Sequence, residues 1–383
     1  MLISEQAARS FSHFDIIAIA PNIWTSQWMN RQQLMSRIGG YTKVVYSSGL
    51  PFSWQRRLPG DLFHLPTGKF EKMDNVWVDT PPGWMIRTPR LPRLERLVLA
   101  QHAERLQKNL SNKPRLLYVF HPMFAPYLDH ITFDKLVYHP YDDFAKQGTF
   151  SPEMAQQEAR LMAEADLVIT PSQGVSEELA KRYGRDNVET VHNGVDFESF
   201  SQPSNSSIKL NEGQNIAYLG SINVKVDIPL LLEISRQLPN AFIHLVGPVG
   251  VMGDKQRDFE QLKQRHNVIL HGPVSHQALP GIAQQMDCLL MCYDTSPTLW
   301  ARHAYPLKLN EYLATKRPVV SCPLPSVPGL SRLLSVAQTP AEWVAAIQEI
   351  LAGQYQKLDT GFSYAQRQDW NSRVEQIGHL LMF

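Results

Sequence analysis

The sequence predicts an α/β protein built as two doubly wound domains, each with a mostly parallel sheet. Three observations carry this. Short apolar runs alternate with segments of helical spacing along the whole chain. The alternation pauses at one polar stretch, SQPSNSSIKLNEGQ (201–214), and then restarts. At 383 residues the chain is long enough for two separate cores.

The elements follow in order. DIIAIA (15–20) is a continuous apolar run, as expected of a strand buried on both faces. TSQWMNRQQLMSRIG (25–39) has helical spacing through Trp28, Leu34, Met35 and Ile38, and Gly39-Gly40 stops it. KVVYSS (43–48), NVWVDT (75–80), RLLYVF (115–120), KLVYHP (135–140) and ADLVIT (165–170) read as further strands. Between the last two, Ser151 is a good N-cap, Pro152 suits the first helical position and Glu153 lies in the acid-favouring first turn. PSQGVSEELAKRYG (171–184) is another helix, and VETVHNG (188–194) closes this half, with Asn193-Gly194 suited to a turn of positive φ. After the linker come strands at 215–220, 241–247, 268–272, 288–293 and 318–322, separated by helices. The predicted domains are 1–200 and 210–360, with a last helix from about 364 to 383 packing back on the first.

Bulk properties narrow the function. Apolar residues make up 43% and charged residues 19%, a globular and not a disordered balance. The net charge of +1 gives no global field for nucleic acid. Cys288, Cys292 and Cys322 are odd in number and form no C-x-x-C pair, which favours a reducing compartment. The N-terminus has no basic start followed by a long apolar run, so no signal peptide is predicted. No window reaches the roughly 18 to 20 apolar residues that span a bilayer. The expected location is the cytoplasm. The segment 86–110 carries Arg87, Arg90, Arg93, Arg96 and Arg105 on a partly amphipathic helix. It reads as a solvated face or as a peripheral contact with the inner face of an anionic membrane.

VHNGVDFESF, YLGSINVKVDIPLLLEI, LVGPV, VILHGPVSHQALPGIAQQMDCLL and YPLKLNEYLATKRPVV resemble, in order and spacing, the retaining GT-B glycosyltransferases. They look most like the family 4-type bacterial enzymes of capsule, teichuronic acid and exopolysaccharide synthesis. WMNRQQLMSRI and VYHPYDDFAKQG extend the likeness to the N-terminal half, more loosely before residue 130. The resemblance implies two Rossmann-like domains facing each other across a cleft. It implies transfer of a sugar from a UDP- or GDP-linked donor to a saccharide or lipid-linked saccharide, with no cofactor. Two alternatives remain: a nucleotide-sugar epimerase or hydrolase of the same architecture, and a non-catalytic nucleotide-sugar-binding protein.

A nucleotide-sugar diphosphate bound without metal needs N–H donors at a helix N-terminus and one or two cations for the leaving group. Pro306, Leu307 and Lys308 open the helix of YPLKLNEYLATKRPVV, with the Leu309 amide as a further donor, and Glu311 lies one turn further on. Alone, Lys308 and Glu311 read equally as a solvated i,i+3 pair; the resemblance assigns the tip to phosphates and the glutamate to the ribose. It also implies donor contacts from Gly220, Ser221, Gly247 and Val274, with Lys225 as the diphosphate cation and Arg302 or His303 as added charge. The loop departs from the commoner pattern, which has an arginine two residues after the glycine and a Lys-Gly pair. Lys316 stands where the family has glycine; in a left-handed cap it costs roughly 1 kcal/mol.

In the first domain, Asp142 and Asp143 follow a strand and resemble a Tyr-Asp-x-x-Asp stretch. They are candidates for the acceptor site or the base, and equally for an N-cap or surface pair. His121 ends another strand and is a second catalytic candidate. Trp28, Asn30 and Arg31 are acceptor candidates, since an aromatic face stacks on sugars and a guanidinium holds phosphate. No D-x-D or His/Cys cluster is present, so no metal is expected. Retention follows from the resemblance alone.

Overall fold

The structure, a computed structural model, describes residues 3–26, 28–52, 67–146, 150–206, 208–296 and 303–382. They form two compact units, Met1–His192 with Asn371–Phe383, and Asn193–Trp370.

The first unit holds strands β1 (Asp15–Ile19), β2 (Val44–Ser47), β3 (Lys69–Met73), β4 (Val76–Thr80), β5 (Arg115–Val119), β6 (Lys135–Tyr138), β7 (Leu167–Thr170) and β8 (Val188–Thr190). Their order is β3-β4-β2-β1-β5-β6-β7-β8, and every pair is parallel except β3 with β4. β1, β2 and β7 are buried along their whole length, because helices cover both faces of a parallel sheet. Strand β3 is absent from the sequence reading. It is a part-exposed edge strand, joined to β4 by Asp74 and Asn75 at φ 45° and 70°. Two consecutive left-handed residues make the tight hairpin turn that matches strand twist.

Helix Asn30–Ile38 starts five positions later than the predicted 25. Gln32 sets the start, its side-chain oxygen accepting the Met29 N–H at 3.1 Å. Trp28 therefore precedes the helix and lies edge-on to Trp24, ring centroids 5.7 Å apart. Helix Pro152–Glu164 is capped by Ser151 Oγ, which accepts the Met154 N–H at 3.2 Å. Gly184, at φ 63°, ends helix Gln173–Tyr183. Helix Trp370–Leu380 closes the chain. Glu375 accepts the Ser4 N–H and Lys135 donates to the Leu381 carbonyl, which fixes this helix within the first unit.

The second unit holds β9 (Gln214–Leu219), β10 (Ala241–Val246), β11 (Val268–Gly272), β12 (Cys288–Met291), β13 (Val319–Ser321) and β14 (Ser335–Val336). Their order is β11-β10-β9-β12-β13-β14, parallel throughout. The order reverses at β9, so loops leaving β9 and β12 diverge at the C-terminal sheet edge, the usual ligand position in such sheets. All three cysteines are buried and unbridged. Burial pushes their thiols up, which makes them inert packing groups.

Candidate functional site

In the second unit the site begins with two glycines. Gly220 follows β9 at φ 132° and Gly247 follows β10 at φ 146°. A Cβ on Gly247 would lie 2.2 Å from the Gly220 carbonyl oxygen, and one on Gly220 would lie 2.4 Å from Lys308 Nζ. Gly247 is fixed by space as well as by φ, because its Cβ would meet backbone, and Gly220 is fixed by φ, because the lysine end could move aside. The bare backbone gives the sheet edge a floor over which the Lys308 side chain lies.

Lys308 comes from helix Leu307–Ala314. Its Nζ sits 4.8 Å from the Tyr218 ring centroid and 5.6 Å from that of Tyr293. Burial pulls its pKa from 10.5 down to about 8; Glu311 works against this, and Lys225 adds to it. Lys225 is thus near enough to be felt by Lys308, and two like charges in reach of each other favour an anion nearby. The helix has no side-chain N-cap. Its Leu309 amide donates to the Pro306 carbonyl at 3.2 Å, so that amide, expected to face a phosphate, is already engaged. Leu307 and Lys308 remain as the tip donors. Tyr312 clips the helix to the sheet: its hydroxyl accepts the Leu219 N–H at 2.8 Å and donates to the Leu219 carbonyl at 3.3 Å.

Glu311 is only 16% exposed and meets His276 Nε2 at 3.5 Å. Burial opposes charge on His276, but the Glu311 carboxylate, with Asp196 behind it, raises its pKa on balance. The sequence reading did not single out His276. Its signal was a histidine opening the turn in HGPVSHQALP. Val274, from the same loop, is half-buried and packs against the core of the unit.

The loop after β9 is braced from below. Lys255 Nζ donates to the carbonyls of Val224 and Val226 at 2.6 and 3.0 Å and pairs with Asp294 at 2.6 Å. Lys225 is half-buried on this loop, its amide donating to Asn223 Oδ1 at 3.0 Å. Ser221 is exposed, and His303 is half-buried. Arg302 lies outside the described residues.

Asn193 and Asn310 tie the turn at 193–194 to the helix. Asn310 Nδ2 donates to the Asn193 carbonyl at 2.9 Å, and Asn193 Nδ2 donates to the Tyr305 carbonyl at 2.7 Å. Gly194 is not at positive φ, contrary to the sequence reading. It is glycine because a Cβ would lie 2.8 Å from the Trp370 ring. Lys316 is left-handed, at φ 54°, so this helix ends with the strain that its position implied. Its Nζ pairs with the exposed Asp359 at 2.7 Å.

In the first unit the candidate residues gather after β1, β5 and β6. Arg31 is 2% exposed, and its guanidinium lies 3.8 Å from the Tyr141 ring centroid. His121 packs on Phe144, with centroids 4.4 Å apart. Its Nδ1 accepts the Met123 N–H at 3.1 Å, which leaves Nε2 to carry the proton. Burial, with help from Arg31, lowers its pKa to about 4. At neutral pH His121 is thus a hydrogen-bond donor and a poor base. Asp143 pairs with Arg182 at 2.9 Å, beside Glu158, whose carboxylate takes bonds from Tyr138 at 2.9 Å and Tyr183 at 2.7 Å. That network braces helices. Asp142, 7% exposed, accepts the Asp143 N–H at 3.0 Å. Asn30 is buried at the head of the helix.

Comparison with known proteins places this geometry. Residues 56–199 match the model for Glycosyltransferase Family 4, and residues 213–353 match that for Glycosyl transferases group 1. The Bacillus subtilis (strain 168) protein "Putative teichuronic acid biosynthesis glycosyltransferase TuaH" is 31% identical over 232 residues. The match spans 57% of this chain and 57% of that relative's length. Sucrose-phosphate synthase from Thermosynechococcus elongatus superposes with a TM-score of 0.71 at 16% identity, over 96% of this chain and 98% of its own. Anabaena Alr3699/HepE, solved in complex with UDP, superposes with a TM-score of 0.67 at 14% identity, over 96% of this chain and 100% of its own. At such identities the superpositions speak for the fold, which is GT-B, and each half of the chain is similar to a glycosyltransferase family model.

Proposed function

We propose that the chain is a glycosyltransferase that moves a sugar from a nucleotide-diphosphate donor to a saccharide acceptor in polysaccharide biosynthesis. The observation that carries this is the glycine floor of Gly220 and Gly247 beneath Lys308, with Glu311 one turn along the same helix. A diphosphate over that floor meets the Leu307 and Lys308 amides and the Lys308 and Lys225 ammonium groups. Glu311, steadied by His276, takes the ribose hydroxyls. The UDP bound by HepE and the polymer in the name of TuaH support this donor and acceptor class.

In the retaining, metal-free form of the reaction, the acceptor oxygen bonds to the anomeric carbon as the carbon–oxygen bond to diphosphate breaks. The acceptor proton passes to the departing diphosphate on the same face. Lysine charge offsets what develops on the leaving group, and no cofactor is needed beyond the donor itself. The first unit offers the acceptor Trp28, Asn30 and Arg31, with His121 Nε2–H as a donor and the His121 ring 6.1 Å from that of Tyr141.

The test is a thermal-shift titration with UDP-, GDP- and dTDP-linked sugars. A ligand at about 100 times its Kd adds roughly 2.7 kcal/mol of stability, which moves Tm by several degrees. One base series is expected to do so. If no series moves Tm, the donor assignment is lost.

A peripheral place on an anionic membrane has its own support. Among the described residues no helix is long and apolar enough to cross a bilayer. Yet Trp84, Leu91, Leu94 and Leu97 are exposed, Leu97 at 61%, around the start of helix Pro92–Gln107. Arg90, Arg93 and Arg96 are exposed between them. Apolar anchors flanked by arginines suit an interfacial helix. The full chain is expected to co-sediment with phosphatidylglycerol vesicles and not with phosphatidylcholine vesicles. Leu94→Glu with Leu97→Glu should abolish this. Equal recovery with both lipids, or with neither, removes the membrane reading.

A further inference from the structure

Arg31 presents an electrostatic problem that the fold of its unit does not solve. The side chain is 2% exposed, and among the described residues its Nε and Nη1 have no hydrogen-bond partner. Burial lowers its pKa, and the groups that work against this are the phenols of Tyr141 and Tyr46, not a carboxylate. Its other neighbours are no help. His121 and His139 are held neutral, at about 4 and about 3, by burial and by Arg31 itself. Three other buried or half-buried arginines in this unit do have carboxylates: Arg87 with Glu95, Arg105 with Asp79 and Arg182 with Asp143. A guanidinium withdrawn from water without a counter-charge costs several kcal/mol, so folding alone does not favour it.

The surroundings suit a ligand. Tyr141 covers one face of the guanidinium and holds the plane of its fork. Tyr46 is anchored elsewhere, its hydroxyl donating to the Asn22 carbonyl at 2.8 Å. Arg31 sits in the first turn of helix Asn30–Ile38, whose dipole also favours negative charge. His121 Nε2–H adds a neutral donor. A buried guanidinium with unmet N–H groups is matched by an oxyanion.

We infer that Arg31 and His121 form an oxyanion subsite, and that the acceptor of this glycosyltransferase carries a phosphoryl or carboxylate group that docks there. The inference rests on the acceptor reading for the first unit and deepens it: a neutral saccharide would leave Arg31 buried and unpaired in the complex. The group is not a reactant. It orients the acceptor, so Arg31 is a positioning residue.

The experiment uses the full chain with Lys225→Ala and Lys308→Ala together, so that phosphate finds neither lysine of the donor site in the second unit. Inorganic phosphate, glucuronic acid and glucose are titrated by calorimetry and thermal shift. Phosphate or glucuronic acid is expected to bind and glucose not to, the responding probe telling phosphoryl from carboxylate. Arg31→Met should weaken that binding at least tenfold. Because it removes an unpaired charge and keeps an apolar stem, its Tm without ligand should equal or exceed that of the parent. Arg31→Lys, which keeps charge and loses the fork, should give intermediate binding. Failure of both anions to bind, or binding unchanged in Arg31→Met, overturns the subsite. A fall in Tm in Arg31→Met with no change in anion affinity does the same. The nucleotide-sugar shift of the otherwise unaltered chain is read separately, so loss of this subsite leaves the donor assignment standing.

Discussion

Replacing Lys308 with alanine is expected to lower kcat by about 10²- to 10³-fold, the cost of removing one preorganised group that meets developing charge. Nucleotide affinity should fall by about tenfold, because the helix tip and Lys225 remain. The pH dependence carries the sign. In the free protein Lys308 loses its proton through about pH 8, so kcat/KM should fall as pH rises through that value. A bound diphosphate favours the ammonium form, so kcat should hold to higher pH. Stability runs the other way. The folded pKa lies below the unfolded value of 10.5, so the cost of charging a buried lysine is fully present below about pH 8 and fades as pH rises to 10.5. Lys308→Met should therefore be more stable than the parent at pH 7 and about equal to it near pH 10.5. Denaturant titrations at the two pH values check this, and steady-state kinetics check the rate. Undiminished turnover in Lys308→Ala would remove the lysine from the mechanism.

Glu311→Ala is expected to raise the Kd for the nucleoside diphosphate by about 10- to 100-fold, with transfer lost in proportion. Hydrogen bonds to a charged acceptor are worth about 1.5 to 3 kcal/mol each when the partner is left unsatisfied. The effect should appear with UDP or GDP alone, because the ribose and not the sugar is what Glu311 holds. Among the described residues the ion-pair partner of Glu311 is a part-buried histidine at 3.5 Å, a loose contact that a pair of ribose hydroxyls can replace. Calorimetry on the variant is the measurement. An unchanged Kd would mean that the carboxylate serves His276 and not the nucleotide.

The strands were legible because burial on both faces writes itself as an apolar run, as in β1, β2 and β7. The helix stop at Gly184 was legible as a glycine, and Lys316 is left-handed where the resemblance put a glycine. Strand β3 was not, because an edge strand of KFEKM has neither an apolar run nor clean alternation. The start of helix Asn30–Ile38 was missed because Gln32 reaching back to Met29 outweighs the helical spacing upstream.

The sequence by itself determined the two parallel α/β units and the helix tip that carries Lys308 and Glu311, because local periodicity and short motifs encode them. Only tertiary structure decided which groups meet across long separations. It brought His276 to Glu311, Arg182 to Asp143, and Tyr141 over Arg31, 110 positions away. It also left His121 neutral and, among the described residues, Arg31 with Nε and Nη1 unbonded. Those outcomes depend on burial and on neighbours at a sheet edge, and neither is a property of any short stretch of chain.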